Sequence, residues 1–212
     1  IGNKNYSSWS MRPWVAMKAA GIAFDEIFVS LPEGPADKQR ILEVSPSGKV
    51  PVLIDGDVTV WDSLAIIEYL AERYPDARLW PDVREARAHA RSIAAEMHSG
   101  FAALRNECGM NLHRPVKPKP LSDAARADIA RVQQIWTDCR ARHGAQGPYL
   151  FGGFGAADAM YAPVVHRFRI YAIEVSPVVR NYMTAMTAQP AFAEWTAAGL
   201  TETIVIERLE TD

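Results

Sequence analysis

Residues 1–77 predict a small α/β module and residues 85–212 an all-helical one, so the chain reads as α/β plus all-α. Three observations carry this. Strand and hairpin signals are confined to the first eighty residues. After Pro81-Asp82 they nearly vanish, and apolar residues recur at helical spacing instead. The stretch from Pro75 to Pro81 is a natural linker between the two halves. A length of 212 residues suits one large domain or two modest ones.

In chain order, Ile1 and Gly2 hint at a first strand. NYSSWSMRPW, residues 5–14, then places three serines ahead of Met11, Arg12 and Pro13. Hydroxyls satisfy the first N–H groups of a helix, and a proline in the first turn loses no hydrogen bond. The expected helix is 11–20, with Ser10 as its cap and Gly21 beyond its end. FDEIFVSL, residues 24–31, predicts a strand, and 36–44 a short polar helix stopped by Ser45, Pro46, Ser47 and Gly48. VPVLIDGDVTVW is two β-branched runs joined by Asp-Gly-Asp, a hairpin signal. Asp62-Ser63 then caps LAIIEYLAERY, whose Leu64, Ile66, Ile67 and Leu70 share one face. The order is (β)αβαββα.

In the second half, Ala86, Ala90, Ile93, Met97, Phe101 and Leu104 form one stripe and predict a single helix over 85–106. Two more helices are expected over 122–142 and 156–172. HRPVKPKP, residues 113–120, reads as a solvated loop.

Composition narrows the function. Hydrophobic content of 49% and charged content of 23% are those of a globular protein. The formal charge is 23 − 25 = −2, with no basic excess to suggest nucleic acid or an anionic membrane. Cys108 and Cys139 form no CxxC, which argues against a disulfide framework, a metal site or a dithiol redox motif and favours a reducing compartment. No apolar run approaches the ~20 residues that span a bilayer.

The βαβαββα order, the serine-bearing first loop, SPSGKVPVL (45–53), WDSLAIIEYLAERYP (61–75) and the helical second half together resemble the glutathione transferases over nearly the whole chain. SSWS followed by Arg12 is similar to the serine motif of zeta-like and related bacterial members, with Trp9 where some relatives carry Cys. The resemblance implies a thioredoxin-like glutathione-binding domain over 1–77 and an α-helical domain over 85–212 that contributes the electrophile site. It also implies a cytoplasmic homodimer with the active site near the subunit interface, and a cis bond before Pro51. The family pattern places a hydroxyl cap three residues before an Asp in the helix at 156–172. Here Gly155 stands ahead of Asp158, a change worth only a few tenths of a kcal/mol.

Physical roles follow for each motif. A cis turn at Val50-Pro51 would aim the Val50 N–H and C=O at the cysteinyl backbone of glutathione, the co-substrate. Asp62 and Ser63 are good caps, and equally offer an N–H, a hydroxyl and a carboxylate to the γ-glutamyl end at a helix N-terminus. Lys49 either meets the glycyl carboxylate or is simply solvated. Trp9 joins these as a glutathione-facing residue. The thiolate, not the thiol, is the nucleophile, and lowering a thiol pKa by ~2 units takes ~2.7 kcal/mol. A serine hydroxyl at the head of the first helix can contribute to that. Ser7 is the first candidate donor by register with the zeta-like motif and Ser8 the second. Tyr6, with its more acidic hydroxyl, is the rival and is placed on the substrate side.

Met97, His98, Phe101 and Arg105 are the candidate lining of the electrophile site. A helical wheel puts His98 and Arg105 on one flank with Arg91, which reads either as a solvated or dimer-facing flank or as a site for a polar or anionic co-substrate. The expected function is conjugation of glutathione to a small electrophile. The alternatives are glutathione-dependent cis–trans isomerisation of a maleyl-type diacid, or a non-catalytic binding protein on the same fold.

Overall fold

The computed structural model describes residues 1–31 and 34–210. Its helices are α1 (Ser8–Ala19), α2 (Pro35–Val44), α3 (Ser63–Arg73), α4 (Arg84–Ser99), α5 (Ala102–Glu107), α6 (Asp123–His143), α7 (Ala156–Ile170), α8 (Pro177–Ala188) and α9 (Pro190–Thr201). Strands β1 (Val52–Asp55) and β2 (Val58–Trp61) form the antiparallel hairpin expected from Asp-Gly-Asp, with Asp55 paired to Val58 across the turn.

Several expectations are corrected. Residues 24–31 are extended rather than a regular strand. Ile1 donates its N–H to Ile27 O at 2.7 Å, and Val29 donates to Ile1 O at 2.9 Å. Two bonds to one residue do not make a ladder. Helix α1 begins at Ser8, three residues earlier than expected, and its cap is Ser7 rather than Ser10. Pro13 therefore lies inside the helix, where the Trp9 carbonyl loses its usual i+4 donor.

The single helix over 85–106 is two helices, α4 and α5. The chain breaks at Gly100, where a Cβ would meet the Glu96 carbonyl oxygen at 2.7 Å, and at Phe101, whose φ is +57°. The apolar stripe survives the break: Met97, Phe101 and Leu104 are all buried. The new helix start is fixed from outside, because Leu104 N–H donates to Asp128 of α6 at 3.0 Å.

Helix α1 is the centre of the molecule, packed against α3 on one side and α7 and α9 on the other. Met11, Trp14 and Val15 carry its face into the core. The loop leading into it is tied to the second half: Lys4 and Asn5 N–H donate to the Glu202 carboxylate at 2.6 and 3.0 Å, and Trp195 Nε1 donates to Lys4 O at 3.1 Å. These bonds set the serine loop against the helices that face it.

Candidate active site

A cleft of about 850 Å³ runs between the head of α1, the turn at 47–51, the head of α3 and the end of α5. Tyr6, Ser7, Ser8, Trp9, Lys49, Val50, Pro51, Asp62, Ser63 and Arg105 all line it.

At the head of α1, Ser7 Oγ accepts the Ser10 N–H at 3.3 Å and donates to Ser10 Oγ at 2.9 Å. Ser8 Oγ instead accepts from Arg167 Nη2 at 3.3 Å. The Tyr6 hydroxyl points elsewhere. It donates to the Glu210 carboxylate and accepts from Ile206 N–H at 3.3 Å, and burial together with Glu210 pushes its pKa up. It holds the C-terminal segment against the first loop.

The Val50-Pro51 bond is cis. Neither the N–H nor the C=O of Val50 has a partner among the described residues. Lys49 is exposed at the cleft edge. Asp62 caps α3, accepting from Leu64 N–H at 2.9 Å and Ala65 N–H at 3.3 Å, and does so with a φ of +77°. That backbone region strains a residue with a Cβ by roughly 1–3 kcal/mol and is retained where the surroundings enforce it. Ser63 is fully buried, and its Oγ accepts from Arg12 Nη1 at 3.3 Å.

The opposite wall is cationic. The Trp9 indole is flanked by the guanidiniums of Arg12 and Arg105, at 4.2 and 4.3 Å from its centroid. His98 meets its edge, with ring centroids 5.3 Å apart, and its Nε2 lies 3.1 Å from an Asp62 carboxylate oxygen. Burial lowers the His98 pKa, with Arg12 and Arg105 acting in the same direction against Asp62, which favours the neutral imidazole. Burial, then the neighbouring guanidiniums, brings Arg12 down to about 9 and Arg167 to about 10, so both stay charged at neutral pH. Among the described residues no carboxylate ion-pairs with Arg12, Arg105 or Arg167.

Three expected lining residues, Met97, His98 and Phe101, do not line the cleft. Met97 and Phe101 are packed in the core with the rest of their apolar stripe. His98 stands behind the cleft, against Trp9 and Asp62. The sequence reading missed Arg167, Arg208 and Leu209, which do line it. The sequence carried only a weak signal for Arg167: it stands among Val164, Val165, Phe168 and Ile170, but His166 and Arg169 flank it and make a basic residue there ordinary.

Comparison with known proteins agrees with this geometry. Residues 6–73 match the model of the glutathione S-transferase N-terminal domain, and residues 71–198 that of the C-terminal domain. Glutathione S-transferase Z1 of Arabidopsis thaliana is 30% identical over 204 residues, 89% of each chain. A probable maleylacetoacetate isomerase of Vibrio cholerae is 26% identical, covering 89% of this chain and 90% of its own. The structure of a glutathione transferase homologue from Burkholderia, with bound glutathione, superposes with a TM-score of 0.71 at 26% identity, covering 95% and 96% of the two chains. The chain belongs to the glutathione S-transferase family.

Proposed function

We propose that this glutathione transferase binds glutathione along Val50-Pro51 and the head of α3, ionises its thiol at the serine head of α1, and attacks a small electrophile held against the helical half. Residues 1–77 would supply the glutathione site and 85–212 the electrophile site, in a cytoplasmic homodimer. The observation that carries the reading is the convergence on one cleft of an unpartnered Val50 backbone, a strained Asp62 cap and the Ser7-Ser8 pair.

Each part has a chemical task. An extended peptide pairs with the Val50 N–H and C=O as a strand would. A carboxylate is favoured at the α3 N-terminus, beside the Ser63 N–H. A sulfur anion at the head of α1 meets hydroxyl donors, the positive end of the helix dipole and nearby guanidiniums. The thiol proton leaves to water. A thiolate lone pair then forms the C–S bond while the electrophile's leaving group departs with its bonding pair or, for an activated alkene, while the π pair moves to the neighbouring carbon and takes a proton from water.

Ultraviolet titration of enzyme-bound glutathione tests this. The bound thiol is expected to ionise ~2 units below its free value. Binding without that shift would instead support the non-catalytic alternative.

The isomerase reading is favoured by one observation: Arg105 lines the cleft with no carboxylate partner among the described residues, as a site for a diacid would require. Turnover of a maleyl-type diacid, weakened at least ~10-fold in Arg105→Ala while a neutral electrophile is processed unchanged, is its expected signature.

A further inference from the structure

Ser7 and Ser8 stand side by side but use their hydroxyls differently. Ser7 gives its proton to Ser10 Oγ at 2.9 Å and takes the Ser10 N–H at 3.3 Å, while Ser10 Oγ also accepts Gly2 N–H at 3.1 Å. These bonds commit the Ser7 proton to Ser10 and fasten the head of α1 to residue 2. Ser8 Oγ accepts from Arg167, and no acceptor for its own proton is found among the described residues. It also lines the cleft.

We propose that Ser8 is the hydroxyl that donates to the glutathione sulfur, and that Arg167 positions it; this rests on the thiol-activating function proposed above. Arg167 is only 6% exposed. Its Nη1 donates to Arg105 O at 3.1 Å and to Cys108 O, carbonyls at the end of α5, where a cation is favoured. Its Nη2 is thereby aimed at Ser8, 159 residues away in sequence.

Two consequences follow from that geometry. A donor on one Ser8 lone pair leaves the O–H to turn toward the cleft. A hydroxyl that accepts from a cation is also polarised into a better donor. Arg167 remains charged, with a pKa of about 10, so its field favours an anion one hydroxyl away. Ser8 keeps its proton throughout, donating a hydrogen bond to the thiolate while the thiol's proton departs to water. The same contact explains why a guanidinium is buried in α7: it couples the helical half to the serine loop.

The test is titration of the bound thiol in wild type, Ser8→Ala, Ser8→Thr, Ser7→Ala, Arg167→Gln and Arg167→Lys, with glutathione affinity and melting temperature measured alongside. Ser8→Ala is expected to raise the bound thiol pKa by about one unit or more with affinity held within ~3-fold, and Ser8→Thr to retain the wild-type value. Ser7→Ala, which removes the cap, should lower the melting temperature and move the thiol less than Ser8→Ala does. Arg167→Gln should shift the thiol in the same direction as Ser8→Ala, and the acidic limb of the kcat/KM profile with it. Arg167→Lys, which keeps the charge in a smaller side chain, should restore at least half of that shift. A lowered wild-type pKa that survives Ser8→Ala, or that Ser7→Ala abolishes alone, overturns this assignment and leaves the proposed function standing. A wild-type thiol that titrates at its free value overturns both.

Discussion

Two helices of this enzyme begin with an aspartate holding backbone N–H groups, and they begin in opposite ways. Asp62 at the head of α3 is half-exposed, faces the cleft and sits at a φ of +77°. Asp158 in the first turn of α7 is 1% exposed, and its carboxylate accepts from Leu150 N–H at 3.1 Å and Gly155 N–H at 3.0 Å. The chemistry is the same, an acid at the positive end of a helix. Strain beside an open cleft marks a geometry retained for a ligand, whereas a buried carboxylate with its acceptors filled marks one retained for stability. Substitutions at the two positions should therefore separate binding from folding.

The largest effect is expected at Asp158. Asp158→Ala leaves two N–H groups without an acceptor, each worth roughly 1–3 kcal/mol, so a loss of about 4 kcal/mol in urea unfolding is expected. Glutathione affinity of the protein that remains folded should stay within ~2-fold of wild type.

A pH effect of about 3 kcal/mol comes next. Burial raises the Asp158 pKa to about 6, against the pull of its two backbone donors, while an unfolded Asp titrates near ~3.9. The folded state thus holds the proton more tightly. The stability this contributes is full below pH ~3.9 and is lost as pH rises through about 6. Asp158→Asn, less stable overall because an amide nitrogen would face an N–H, should lack that decline. Unfolding curves for both proteins across the acid range give the difference in slope, and parallel slopes would remove Asp158 as its source.

Asp62 should answer in the other direction. Asp62→Gly removes the side-chain cap, at a cost of a few tenths of a kcal/mol for glycine, and releases the strain at a positive φ. Stability should hold or rise by about 1 kcal/mol while glutathione affinity falls about 10-fold. Calorimetry of binding beside a melting curve reads both. Affinity retained with stability lost would make Asp62 an ordinary cap and erase the contrast with Asp158.

The same contrast explains what the sequence revealed. The hairpin and the head of α3 were readable because turn chemistry and capping act over two to four residues. The break at Gly100 was not, because Met97, Phe101 and Leu104 keep the helical spacing of the stripe across the turn at residues 100–101. The cap of α1 lies three residues before the expected one because serines occupy 7, 8 and 10 alike, and contacts with Gly2 and Arg167, outside the local pattern, distinguish Ser10 and Ser8 from the Ser7 cap. Most of the proposed glutathione side of the cleft was legible as local motifs. Arg167 was not, since its role depends on a serine 159 residues away.

Gly155 gives the smallest effect and the sharpest use of the comparison. Capping alone predicts that Gly155→Ser, which restores the hydroxyl of the family pattern, stabilises α7 by a few tenths of a kcal/mol. The packing predicts the reverse. Ala156 N–H donates to Leu79 O at 2.7 Å, and a Cβ on residue 155 would meet that same oxygen at 2.8 Å. Moving the linker carbonyl away weakens the bond that fastens α7 beneath the loop after α3, so a net loss of about 1 kcal/mol is expected. Gly155→Ala should lose slightly more, having the Cβ without the hydroxyl, and the gap between the two variants isolates the cap. If Gly155→Ser melts above wild type, close approach to Leu79 is not what selects glycine here, and the head of α7 is governed by capping just as the head of α3 is.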